Sequence, residues 1–158
     1  APEARPIAGR VAVLTDVYGG RFKMGKELRR TPGERRSVGS IAYEMTLAAD
    51  GTYQYVLFGS PHSWDVAAGV LLVAEAGGEV RSMGPERDGW RPLGRFSDGA
   101  SEEPPGRKAL REWVAPILAG NPEIVRFVGD GLAPRRTLRR RLMGGATGAF
   151  PRSAGRRV

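Results

Sequence analysis

The chain has 158 residues, 41% of them apolar and 27% charged, with a formal net charge of +8, the balance of one soluble globular domain. It has no cysteine and a single histidine, which excludes disulfide scaffolds, thiolate metal sites and cysteine nucleophiles and leaves one imidazole as a possible base. The longest nearly unbroken apolar run, Val66 to Ala74, is far shorter than the about 20 residues a membrane span needs.

Residues 10 to 15, Arg-Val-Ala-Val-Leu-Thr, form an apolar, β-branched run that predicts a buried strand, stopped by Gly19-Gly20. The polar and basic stretch from 21 to 31 predicts a short helix ending before Pro32. Ser40 is placed to cap a helix over 41–49, where Ile41, Met45 and Ala48 recur at helical spacing and Asp50-Gly51 supplies the stop. Thr52 to Phe58, rich in aromatic and branched residues, predicts a strand. Ser63 then caps a helix from Trp64 to Ala76, closed by Gly77-Gly78; it is apolar nearly all round, so it is expected to be buried on every side.

Glu79 to Met83 predicts the next strand. Residues 84 to 106 contain nine Gly or Pro among 23, the mark of a loop region, with an edge strand expected near Leu93 to Phe96. Trp113 to Leu118 reads as a short strand or helix end. Asn121-Pro122-Glu123 opens a helix to about Val128. Alternating strands and helices predict an α/β fold: a mixed or parallel sheet with flanking helices. Residues 135 to 158 hold eight Arg and no acid, and the other 17 of the 25 basic residues balance the 17 acids. The chain therefore divides into an α/β domain over 1–134 and an Arg-rich tail over 135–158, expected to be disordered. A nucleic-acid-binding domain carries its positive stripe on the folded part, so the neutral average over 1–134 argues against nucleic acid as the main partner. The opening Ala1-Pro2-Glu3-Ala4 is not a secretory signal, which gives a cytoplasmic expectation, and the missing initiator Met gives the expectation of a processed chain or of a piece of a longer protein.

Several segments contain chemistry-bearing residues. Gly20 to Lys26 has the spacing of a P-loop, but the following position, which must be Ser or Thr to hold Mg²⁺, is Glu27; a solvated basic turn is expected. Asp65 stands in the first turn of the helix that follows the strand 52–58. Two readings stay open for it: a carboxylate that complements the helix dipole, or one that projects into the crevice at the carboxyl edge of the sheet, where it suits a hard, oxygen-seeking cation such as Mg²⁺. Gly39 and Ser40, at a helix N-terminus, fit either an ordinary capped helix or a site for an anion or a substrate hydroxyl. His62, Ser63 and Asp65 have the residue types of a nucleophilic triad, but sequence neighbours cannot face one another in that geometry; His62 is expected to hydrogen-bond locally.

Trp64-Asp65-Val66-Ala67-Ala68-Gly69, followed by Glu75-Ala76-Gly77-Gly78, resembles the C-terminal signature of the inositol monophosphatase family, magnesium-dependent, lithium-sensitive phosphomonoesterases. Arg36 to Ala42 resembles the family's segment at the start of the preceding helix, and Ala119-Gly120-Asn121-Pro122 a segment near its C-terminal end. The resemblance covers about residues 35 to 130 and implies the C-terminal α/β half of a two-part phosphatase. It implies that Asp65 ligates a catalytic Mg²⁺, that Gly39, Ser40 and Ile41 line the substrate pocket, and that a metal-activated water hydrolyses a small phosphorylated sugar, polyol or nucleotide without a catalytic side chain from this chain. The family's other metal ligands, a glutamate and an Asp-Pro-Ile-Asp-Gly-Thr segment, are absent here, so activity is expected only with the missing N-terminal half as partner. The family's dimers extend the expectation to a homodimer; no membrane partner is implied. Inositol-specific members carry a substrate-binding glutamate seven residues before the metal-binding aspartate, and Phe58 stands there, which argues against inositol. A second expectation, from another class, is a non-catalytic interaction module whose basic tail contacts nucleic acid or acidic partners.

Overall fold

The computed structural model describes residues 5–7, 11–14, 20–84, 89–96 and 104–135. The elements run β1 (Val11–Leu14), β2 (Phe22–Met24), α1 (Lys26–Arg30), β3 (Glu34–Arg35), α2 (Ile41–Ala49), β4 (Tyr53–Phe58), α3 (Ser63–Glu75), β5 (Glu79–Met83), β6 (Trp90–Pro92), α4 (Arg107–Glu112), β7 (Ile117–Gly120), α5 (Pro122–Asp130) and β8 (Leu132–Pro134). Six strands form one sheet in the order β3-β1-β4-β7-β5-β6, while β2 and β8 pair in a separate antiparallel ribbon. β1 lies parallel to both β3 and β4, and the pairs β4–β7, β7–β5 and β5–β6 are antiparallel. The class is thus α/β with a mixed sheet and flanking helices.

The sheet separates two apolar layers. On one face α2 and α3 contribute Met45, Ala48, Val66 and Val73, packed on Val56, Phe58, Ile117 and Ala119. On the other face Leu28 of α1, Ile124, Val125 and Val128 of α5, and Phe22 and Leu132 of the ribbon cover Tyr55, Leu57 and Leu118. Strand residues ordinarily alternate between faces, but Tyr53 shares a face with Val56 and Phe58. The cause is a bulge: Val11 pairs with Tyr53 and Val13 with Val56, so β4 spends one residue more than β1. The extra residue accompanies an anchor. The Gln54 side chain donates to Ile7 O at 3.1 Å and accepts from Ile7 N–H at 2.5 Å, clamping the N-terminal segment.

Several sequence-based expectations shift. The basic stretch 21–31 is not one helix; β2 comes first and α1 is a single turn and a half. β2 also runs through the P-loop spacing, and Gly25 N–H donates to Gly131 O at 2.8 Å, so that segment is a strand-to-helix turn and not a phosphate cradle. The strand expected near 93–96 lies at Trp90–Pro92, and α4 and β8 have no counterpart among the expected elements. α3 is not buried on every side: Ser63, Val66, Gly69 and Val73 are inside, whereas Trp64 and Leu71 are 60% and 61% exposed. Its all-round apolarity reflects an outer face that the described residues leave open. The tail from 136 onward lies outside the described residues. Among the described residues no helix is long and apolar enough to cross a membrane.

Candidate functional site

A cavity of about 270 Å³ opens where the N-termini of α2 and α3 meet the carboxyl end of β4. One wall comes from Ser37, Gly39, Ile41 and Glu44; the other from the strand-to-helix turn Phe58-Gly59-Ser60-Pro61 and from Asp65. In open α/β sheets ligands bind in crevices of this kind, outside the carboxyl ends of the strands.

Asp65 is the third residue of α3. Its Oδ2 accepts the backbone N–H of His62 at 3.0 Å, while Oδ1 makes no hydrogen bond among the described residues. One carboxylate oxygen thus caps the helix, and Asp65 also lines the cavity. The N-cap is His62 and not Ser63. Ser63 is the first helical residue, and its hydroxyl donates to Leu110 O at 2.6 Å. The His62 ring stacks on Trp64, with centroids 4.2 Å apart and planes at 6°, and its Nδ1 is buried without a partner among the described residues. The imidazole thus makes no local hydrogen bond through Nδ1, and His62, Ser63 and Asp65 do not form a triad.

Gly39 and Ile41 line the same cavity as Asp65. Gly39 has φ of 80°, a conformation that glycine adopts without steric cost. Ser40 acts differently. Its Oγ accepts Tyr43 N–H at 3.4 Å as the cap of α2, and it is not a lining residue. Glu44 carries no signal of a site role in the sequence. Four residues after Ser40, it falls one position beyond the capping-box spacing and looks like an ordinary solvated helix acid. In the fold it is 1% exposed, and its Oε1 accepts Ser37 Oγ–H at 2.9 Å, Val38 N–H at 2.6 Å and Gly39 N–H at 3.2 Å. A buried carboxylate thus gathers the loop before α2 and fixes one wall of the cavity. On the opposite wall the Arg21 guanidinium donates to Gly59 O at 3.1 Å and to Ser60 Oγ.

The donors here are hard oxygens, the type that Mg²⁺ takes. Among the described residues no three His, Cys, Asp or Glu come together to hold a metal ion. Asp65 is a carboxylate of the cavity with one oxygen left without a hydrogen-bond partner among the described residues, and so could serve as a ligand of a divalent cation.

The chain is an α/β domain with an open mixed sheet and a carboxylate at a crevice by the carboxyl end of β4. The sequence profile of the inositol monophosphatase family matches residues 15–119, more than half of the chain. The chain belongs to the inositol monophosphatase family, and it has a phosphatase-type fold. Two curated proteins, each a putative Nus factor SuhB from Neisseria meningitidis, of serogroups A and B, are 40% identical over 63 residues. That segment is 40% of this chain and 23% of theirs. Staphylococcal IMPase-II is similar with a TM-score of 0.49 and 15% identity over 82% of this chain and 47% of its own. The inositol monophosphatase of Anabaena (Nostoc) has a TM-score of 0.45 and 21% identity over 83% of this chain and 46% of its own. The chain thus spans about a quarter of the curated relatives and about half of the solved structures it matches.

Proposed function

We propose that this chain supplies the α/β part of a Mg²⁺-dependent phosphomonoesterase and contributes one metal ligand, Asp65, and one side of the substrate pocket. The observation that carries this reading is the convergence of Asp65, Gly39 and Ile41 on one cavity at the carboxyl end of β4. Family membership supports the reaction class, and family members are metal-dependent. A bound Mg²⁺ would supply an activated water and neutralise charge on a phosphate ester. Asp65 would hold the metal through Oδ1 while Oδ2 stays on the His62 amide, which fixes the rotamer. The backbone at Gly39 and Ile41 shapes the wall beside it, held by Glu44. Phe58 lines the cavity where a glutamate would reach for polyol hydroxyls, which favours a phosphorylated sugar or nucleotide over inositol. The remaining ligands come from an N-terminal half of the family fold, so the chain alone is inactive.

The test is reconstitution. Mixing the chain with an N-terminal half that carries the Asp-Pro-Ile-Asp-Gly-Thr segment should give Mg²⁺-dependent phosphate release from small monoesters. Asp65→Asn should abolish it. Full activity of that variant would remove Asp65 from the metal site.

A further inference from the structure

The turn between β4 and α3 carries an arrangement that the metal ligand Asp65 does not explain. Of its residues on the cavity wall, Phe58 and Pro61 are apolar, Gly59 has no side chain, and Ser60 brings the polar side chain. Ser60 is exposed, yet it is gripped from a distant element. Arg21, the residue before β2, donates through one guanidinium nitrogen to Ser60 Oγ and, at 3.1 Å, to Gly59 O. The Arg21 carbonyl accepts Arg135 N–H at 2.8 Å, so the backbone behind this guanidinium is tied into the β2–β8 ribbon. Ser60 Oγ in turn donates to Gly59 O at 2.7 Å. Arg21 does not itself line the cavity; it stands behind the turn and holds it.

Counting protons and lone pairs decides what this hydroxyl can bind. A serine hydroxyl has one proton to give and two lone pairs to accept with. Gly59 O takes the proton and Arg21 takes one lone pair. One acceptor lone pair is left, on a residue that lines the cavity. The oxygens of a phosphate dianion have no proton to donate, so Ser60 is not a partner for the phosphoryl group. Its partner is a donor, a hydroxyl or an amino group, on the alcohol part of the ester. We propose that Ser60 is a specificity-determining residue that accepts a hydrogen bond from a hydroxyl of the leaving alcohol, and that Arg21 is its positioning residue. Arg21 acts without touching substrate: it fixes the Ser60 rotamer before the ligand arrives, so less side-chain freedom is lost on binding. The inference rests on the phosphatase reading of the cavity and narrows its substrate to hydroxylated monoesters over plain alkyl ones.

The experiment uses the full chain, isotope-labelled for NMR, in Mg²⁺-containing buffer. The probes are matched in length: glycerol 1-phosphate, whose alcohol part carries free hydroxyls, and n-propyl phosphate, which has none. Amide shifts at Gly39, Gly59 and Ser60 give the affinities, and the same spectra show that each variant is folded. The parent should bind glycerol 1-phosphate about three- to tenfold more tightly, the worth of one net hydrogen bond. Ser60→Ala should erase that preference, and Ser60→Thr, which keeps the hydroxyl, should retain it. Arg21→Gln should narrow the preference in the parent and change nothing further in the Ser60→Ala background, because it works through the same oxygen. A preference absent from the parent, or surviving in Ser60→Ala, would overturn the inference; shifts at Gly39 and Gly59 with both probes would then leave the phosphatase reading standing. A full-sized Arg21→Gln effect on top of Ser60→Ala would overturn the positioning role. No shift at these amides with either probe would overturn the inference together with the reading of the cavity beneath it.

Discussion

A Cβ placed on Gly69 of α3 would lie 2.5 Å from the Cβ of Met45 on α2 and 2.8 Å from its Cγ. The two helices that carry the cavity walls are therefore in backbone-limited contact. Gly69→Ala should destabilise the protein by about 1–3 kcal/mol through overpacking. The nearest atom is a Cβ, which alanine also has, so Met45→Ala should not rescue it. Urea midpoints of the two single variants and the double variant check this; recovery of the double variant toward the parent would mean that the helices are free to move apart.

Glu44 is expected to matter for the cavity wall without touching a ligand. Glu44→Gln replaces a charged acceptor of three hydrogen bonds by a neutral one and should cost about 1–3 kcal/mol. Amide hydrogen exchange at Val38 and Gly39 should accelerate, while exchange in α5, across the sheet, should follow global stability alone. Unchanged protection at both amides would mean that the loop is held by something else.

The capping and metal-binding roles of Asp65 can be separated. Asp65→Asn keeps an oxygen that accepts the His62 N–H, so it should cost no more than about 1 kcal/mol. Asp65→Ala loses the cap and should cost about 1–2 kcal/mol. Both should lose Mg²⁺-dependent turnover in the reconstituted enzyme. Thermal melts with phosphate release on the same samples make the comparison, and an Asn variant as unstable as the Ala variant would place the charge, and not the acceptor, at the centre of the cap.

Burial holds the Tyr55 phenol well above its ordinary pKa of 10.0, offset in part by the positive charge of Arg35; its hydroxyl donates to Pro32 O at 2.6 Å. A folded pKa above the unfolded one means that the native state keeps its proton more tightly. The stabilisation is fully present below pH 10 and is lost as pH rises beyond it. Tyr53 shifts the same way, through burial first and the charge of Glu44 second. Tyr55→Phe should cost about 1 kcal/mol at neutral pH and should flatten, though not remove, the fall in stability above pH 10. Denaturation midpoints at pH 8, 10 and 11 give the comparison, and parallel curves would show that Tyr55 titrates as it does in the unfolded chain.

Gly120 has φ of 141° and closes β7 against β4; an added Cβ would meet Gln54 O and would come within 2.8 Å of Tyr55 Cα. Both obstacles are backbone, so neither can rotate away. Gly120→Ala should cost about 3 kcal/mol or more, read as a large loss in urea midpoint or as failure to fold. A variant within 1 kcal/mol of the parent would show that the β4–β7 approach is compliant.

Where local chemistry dominates, the sequence is readable. Ser40, Asp50 and Asn121 mark helix ends by side-chain and turn preferences that act within four residues, and α2 and the start of α5 fall where those preferences put them. Tyr53 to Phe58 and Glu79 to Met83 carry enough branched and aromatic residues to fix strands. Short elements are not readable because their pairing is distant: β2 becomes a strand through β8, more than 100 residues away, and α4 is six residues with no buried side chain. Asp65, Gly39 and Ile41 can be named from their motifs, whereas Glu44 cannot. Its role arises from a loop that folds back over α2, and nothing in a one-dimensional pattern separates that acid from a solvated one.

The large sheet ends in a two-residue strand, β3, at one border and a three-residue strand, β6, closed by Pro92, at the other. Proline has no N–H to offer, and two or three residues give an incoming chain almost no ladder to extend. Fibrillar growth by strand addition therefore has little template at either border. In concentrated solution this domain should associate, if at all, through side chains such as Trp64 and Leu71, and those clusters should dissolve again on dilution.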